Sequence, residues 1–207
     1  MKYVKIILIG ALFVVNIACA QRDPNKQVDE GKVEGEFYTS TEIGWTIEIP
    51  IGYEVTARDR MDELTDRGMD AVQEVTGKID YSGLKHLIGF QKDRLNLFQS
   101  TSEPFPLEYE GHWEENNTWI KGVLYDTYAK QGIKADTSSF DAVIDGLKFE
   151  GFKSTIYGPS GNVILYQELY SRYINGYDFG AIINYNNKED RAIMYSVLMS
   201  SKFSKRD

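Results

Sequence analysis

One cysteine, two histidines and five prolines in 207 residues leave several kinds of chemistry without material. The lone cysteine, Cys19, can close no disulfide within the chain. It also lies in a leader segment, so the domain that follows is left without a thiolate zinc site or a cysteine nucleophile. His86 and His112 stand far apart, in different predicted elements. His86 falls inside a strand-like run (LKHLIGF), where a satisfied structural role is expected. No G-x-S-x-G elbow, no G-x-x-x-x-G-K-S/T loop and no G-x-G-x-x-G turn occurs. An activated serine and a phosphate cradle therefore have no support. Asp141 and Asp145 are separated by apolar residues and lack the spacing of a calcium-binding loop. Basic residues are the minority, 23 against 31 acids, for a net charge of −8. Nucleic acid and anionic headgroups demand the opposite sign, and no Lys/Arg cluster offsets the balance.

Long apolar runs are missing too, except at the start. Ile6 to Val15 is apolar apart from Gly10 and is preceded by Lys2 and Lys5. Spanning a bilayer takes about 20 apolar residues, so this run is too short. A short basic front, an apolar centre and small residues behind form the pattern of an export signal over residues 1–20. Two processing readings stand side by side. Ala18-Cys19-Ala20 supplies small residues for cleavage before Gln21. Ile17-Ala18-Cys19 resembles a bacterial lipobox, in which Cys19 becomes the lipidated N-terminus. Asn16 departs from the usual lipobox residue, whereas the placement of the sole cysteine favours it. Two acyl chains make a stable anchor where one is marginal.

Gln21 to Gly35 (QRDPNKQVDEGKVEG) is polar and nearly free of large apolar residues, and is expected to be a flexible linker. A single domain is expected over 36–207, long enough to bury a core without disulfides. Phe37–Ser40 and Trp45–Ile49 read as strands. Residues 58–76 carry Met61, Leu64, Val72 and Val75 at helical spacing, with Gly77 as C-terminal cap. Leu84–Lys92 and Leu95–Ser100 read as a hairpin, 100–116 as a long loop, and 118–131 as a helix. Strand-like runs follow at Phe140–Ile144, Leu147–Tyr157 and Val163–Ile174. Asn175-Gly176 is a type I′ hairpin signal, because both turn residues need positive φ. The returning strand, Tyr177–Tyr185, has an apolar Ile182 on its otherwise polar parity, so both of its faces should be covered. Asn187 is placed to cap a last helix with Ile193, Met194, Val197 and Leu198 as its buried stripe. The 14 tyrosines suit half-buried sheet faces.

This order of elements resembles the PsbP-like fold, from GWTIEIPIGYEV near the start to ELYSRYINGYDFGAIINYNNKEDRAIMYSVLMSSKF near the end. The resemblance covers about 36–204. It implies an α+β fold, an α/β/α sandwich around a central antiparallel sheet, and the non-enzymatic accessory or binding role usual in that family.

One cluster offers chemistry of its own. SEPFPLEYEGHWEENN holds Glu108, Glu110, His112, Trp113 and Glu114, with Glu103, Glu115 and Tyr109 around them. An acidic, oxygen-rich loop is able to hold Ca²⁺ or Mn²⁺, and its aromatics are able to dock a partner. The alternative is a solvated acidic loop with its aromatics folded onto the core. The leading expectation is an exported cell-envelope protein that binds an unknown protein or small ligand. It would meet the membrane only through an anchor at Cys19 and would not bind nucleic acid. A hydrolase using carboxylates of the acidic loop and a divalent-metal module are the alternatives.

Overall fold

The computed structural model describes residues 22–204. The export signal and Cys19 lie outside the described residues. Among the described residues, eleven strands form two antiparallel sheets. The small one runs β1 (Lys32–Glu34), β2 (Phe37–Ser40), β3 (Trp45–Glu48) and β11 (Lys202–Phe203). The large one contains β4 (Glu54–Val55), β5 (Lys85–Gln91), β6 (Leu97–Pro104), β7 (Ala135–Ile144), β8 (Leu147–Tyr157), β9 (Val163–Ile174) and β10 (Tyr177–Tyr185), in the spatial order β4-β5-β6-β10-β9-β8-β7. Among the described residues there are three α-helices: α1 (Arg58–Thr76), α2 (His112–Lys130) and α3 (Lys188–Ser200).

Side-chain alternation divides the large sheet into two faces. One carries Phe98, Phe149, Tyr170, Phe179, Ala181 and Ile183, all buried, and meets the small sheet and α3. Trp45 of β3 is the joint: fully buried, it packs on Phe98, Phe179 and Phe203 and donates its indole N–H to Ser201 Oγ at 2.9 Å. The opposite face lies under α1 and α2. Met61 of α1 sits against Gly89 and Gln99, and α2 reaches down with Trp113, Asn117 and Lys121. The layers are thus helices, sheet, and helix plus small sheet. Ile182 lies on the α1–α2 face, so both faces of β10 are covered as its imperfect alternation implies.

Local signals govern the element ends. Asn175 and Gly176 turn β9 into β10 with φ of 53° and 88°. The side chain of Asn187 accepts from the Asp190 N–H at 2.9 Å, satisfying one free donor at the start of α3. Gly77, at φ 82°, ends α1 where its spacing stops.

Two expectations are corrected. The stretch 21–35 is not a linker from Asp23 onward. Pro24–Lys26 forms a 3-10 turn and Lys32–Glu34 pairs with β2. Its polar side chains serve as acceptors for the domain: Asp29 for the His86 N–H, and Glu30 for Ser40, Thr41 and Glu42. Burial would raise the Glu30 carboxyl, but these donors outweigh it and hold it below the ordinary range. The second correction concerns 100–116, where only residues 105–111 separate β6 from α2. Gly111 turns the chain at φ 88°, and Glu114 and Glu115 lie in the first turn, where the helix dipole favours acids.

Candidate functional site

A cleft of about 440 Å³ opens between the β7–β9 side of the sheet and α3. Its floor is set by strand register. Ser138, Phe140, Lys153, Glu168 and Tyr170 fall on one parity because Ser138 pairs with Lys153, Phe140 with Gly151, and Lys153 with Glu168. Its wall comes from α3, where Arg191, Tyr195 and Met199 recur at every fourth residue and so share a face. Gly151 makes room for the ring of Phe140, which a β-carbon there would overlap. Phe140 in turn meets Tyr170 edge-on at 5.2 Å.

Glu168 is the centre of the polar half. It is 2 % exposed and accepts from four donors: Tyr185 Oη at 2.8 Å, Arg191 Nε at 2.9 Å, Tyr170 Oη at 2.9 Å and Arg191 Nη2 at 3.1 Å. Burial alone would raise its carboxyl; the bonds from Arg191, Tyr185 and Tyr170 reverse that and hold it below the usual carboxylate range. Both tyrosine hydroxyls are pushed up, first by burial and then by Glu168 itself, and remain donors. Lys153 Nζ stands 3.7 Å from Glu168, an ion-pair distance too long for a hydrogen bond. Cations also stack on rings here, Arg191 over Tyr195 at 4.8 Å and Lys153 over Tyr166 at 5.5 Å.

This chemistry suits binding. Glu168 is ionised and saturated, so it has neither a proton to give nor a free lone pair to take one. No histidine or cysteine lines the cleft, and among the described residues the Ser138 hydroxyl makes no hydrogen bond to Lys153, its cross-strand neighbour. A second depression, of about 420 Å³ beside α1, is lined by Arg22, Arg60, Arg94, Glu54, Asp59 and Glu63 and by no aromatic side chain.

The residues singled out in the sequence lie elsewhere, around the start of α2. Glu108, Glu110 and Glu114 are exposed. His112 stacks on Tyr109 at 4.7 Å and lies tilted against Phe105 at 4.9 Å, and its Nδ1 accepts from the Glu108 N–H. Trp113 is 5 % exposed and turned inward, donating to Asp178 Oδ1 at 2.9 Å. Among the described residues, no group of three or more histidine, cysteine or acidic side chains is arranged to hold a metal ion. His86 is buried as expected, but its Nδ1 has no partner among the described residues. Glu168, Arg191 and Lys153 fall in no motif of the sequence. One signal was available: Glu168 is an acid on the parity of Tyr166 and Tyr170, in a run otherwise read as sheet core.

A strained carboxylate pair underlies α2. Asp178 and Glu103 face each other across β10 and β6. Burial pushes both carboxyls up, and for Glu103 the charge of Asp178 adds to it. An acid whose folded-state pKa is raised costs stability as pH climbs above its unfolded value. Asp178→Asn keeps an acceptor for Trp113 and removes that cost. It is expected to gain about 0.5–2 kcal/mol at about pH 7 and little at about pH 4 in urea denaturation. Equal gains at both would show that charge burial is not the cause.

Among the described residues no helix is long and apolar enough to cross a membrane. No protein-family model and no curated protein matches the sequence. A solved structure does: the solution structure of cyanobacterial PsbP (CyanoP) from Synechocystis sp. PCC 6803, with a TM-score of 0.54 at 12% identity, covering 84% of this chain and 96% of that one. At that identity the likeness speaks for the fold alone. The chain has the PsbP-like fold, an α/β/α sandwich around an antiparallel sheet.

Proposed function

We propose that this is an exported cell-envelope protein that acts by binding, as a non-enzymatic accessory module. The observation that carries the reading is the β7–β9/α3 cleft, where the buried carboxylate of Glu168 is spent on four protein donors. The basic-apolar start of the chain supports export, and the PsbP-like fold fits an accessory role. A hydrolase of the acidic loop would need two carboxylates facing one cleft, whereas Glu108 and Glu110 are exposed. With Cys19 lipidated, the ordered domain beginning at Asp23 would be held close against the membrane, without a long tether.

The test is crosslinking in the native cell, with tagged full-length protein and its Cys19→Ala variant fractionated in parallel. One stoichiometric envelope partner supports the binding role, and release of the variant from membranes supports the anchor. Turnover of an envelope substrate that survives purification and is abolished by one point mutation would overturn the non-enzymatic reading. Unchanged fractionation would overturn the anchor.

A further inference from the structure

We infer that the cleft under α3 takes an organic carboxylate carrying an aromatic or branched apolar body; this rests on the binding reading of that site. Charge comes first. In an acidic chain, this cleft holds two cations, Lys153 and Arg191, against one buried anion, Glu168. Asp141 at the rim is balanced by Lys148 at 3.1 Å. A net positive charge therefore remains inside.

Free donors come second. Arg191 spends Nε and Nη2 on Glu168. Among the described residues, its Nη1 has no acceptor, and Lys153 Nζ makes no hydrogen bond. Both side chains are about a third exposed, 35% and 37%, so a solute can reach them. A carboxylate placed between them would gain charge-assisted bonds without competing for Glu168. A cation would find no such welcome, since both Glu168 oxygens are already taken.

The apolar half sets the rest of the ligand. Phe140 and Ala142 of β7 and Tyr195 and Met199 of α3 line the cleft and are only partly buried. A bare inorganic anion would leave that surface wet. The volume falls in the range usual for small-molecule sites, about 300–1,000 Å³. The same chemistry is offered by a free acid and by the C-terminus of a peptide ending in an apolar residue. β7 is an edge strand, so an extended peptide has backbone to pair with.

The experiment titrates ¹⁵N-labelled protein with 3-phenylpropionate, with its neutral amide, and with N-acetyl-Ala-Phe as acid and as C-terminal amide. Shifts confined to the amides of Phe140, Gly151, Lys153 and Tyr195 are expected with the acids only. Lys153→Gln should weaken the acids about tenfold at an unchanged melting temperature. Lys78→Gln, on an exposed position after α1, should leave binding unaltered. Peptide acid binding well above phenylpropionate would identify a chain terminus as the source, and equal binding a free acid; both support the site. Binding of the amides equal to the acids, no shifts at the cleft, or indifference to Lys153→Gln would overturn the inference. A crosslinked partner retained under those results would leave the accessory role standing.

Discussion

Trp45→Ala is expected to destabilise the domain by about 3–5 kcal/mol, the range for losing a large buried aromatic side chain. Trp45 has no exposed surface and touches Phe98 and Phe179 of the large sheet, Phe203 of β11 and Tyr38 of β2. It therefore joins the two sheets, together with Phe203, which meets Phe149 and Phe179. Its indole N–H also holds Ser201, whose own hydroxyl donates to Leu198 at the end of α3. Truncation leaves a cavity between layers that cannot close unless the small sheet moves. Trp45→Phe isolates the polar part: it retains most of the packing and should cost about 1–2 kcal/mol, from the lost hydrogen bond and the smaller ring. Urea denaturation of the three proteins checks both values. A loss below about 1 kcal/mol for Trp45→Ala would mean that the small sheet contributes little to the cooperative fold.

Removing Arg191 acts at the other end of α3. Arg191→Ala should cost about 3 kcal/mol, the low end for a broken buried ion pair. The low end applies because the guanidinium side is 35% exposed, and water can enter the space it leaves. Glu168 would then face the loss of its two charged donor bonds while still buried. Its carboxyl, now held below the ordinary range, would rise. In the wild type a depressed carboxyl contributes stability above its unfolded pKa, about 4.5, and loses that contribution as pH falls through the folded value. The wild type should therefore weaken on acidification below about pH 4.5, and Arg191→Ala should show less of that loss because it has less to lose. The double variant Arg191→Ala/Glu168→Gln should recover part of the stability, since no buried charge is left unpaired. An additive double variant would show that the two side chains are not coupled. Arg191 also frames the carboxylate site, so its loss is read through stability, and Lys153 is the residue through which binding is read.

Much of the fold was legible in the chain. The span of α1 followed from Met61, Leu64, Val72 and Val75 ending at Gly77, and the β9–β10 hairpin followed from Asn175-Gly176. The cap at Asn187 and the strands 147–157, 163–174 and 177–185 stand as read. These signals are local: a positive φ, a capping oxygen or a period of apolar residues acts within a few positions of itself. The start of α2, at His112 instead of residue 118, departs from its local signals for a related reason. Pro104, Pro106 and Gly111 mark a break, but the burial of Trp113 that draws the first turn onto the sheet depends on Asp178, 65 residues later.

The sequence by itself determined the acidic balance, the single cysteine, the basic-apolar start and most of the element order. Tertiary structure alone decided that residues 23–34 belong to the domain, because their polar side chains find partners on distant segments instead of burying apolar surface. It alone decided where the site lies. Glu168 and Arg191 are 23 positions apart, and Phe140 is further still, so no spacing rule brings them together. They meet because α3 folds back across the face that strand register gives to Phe140, Lys153, Glu168 and Tyr170. A polar group in a core is recognised by what surrounds it, and those surroundings come from the packing of layers rather than from neighbours in the chain.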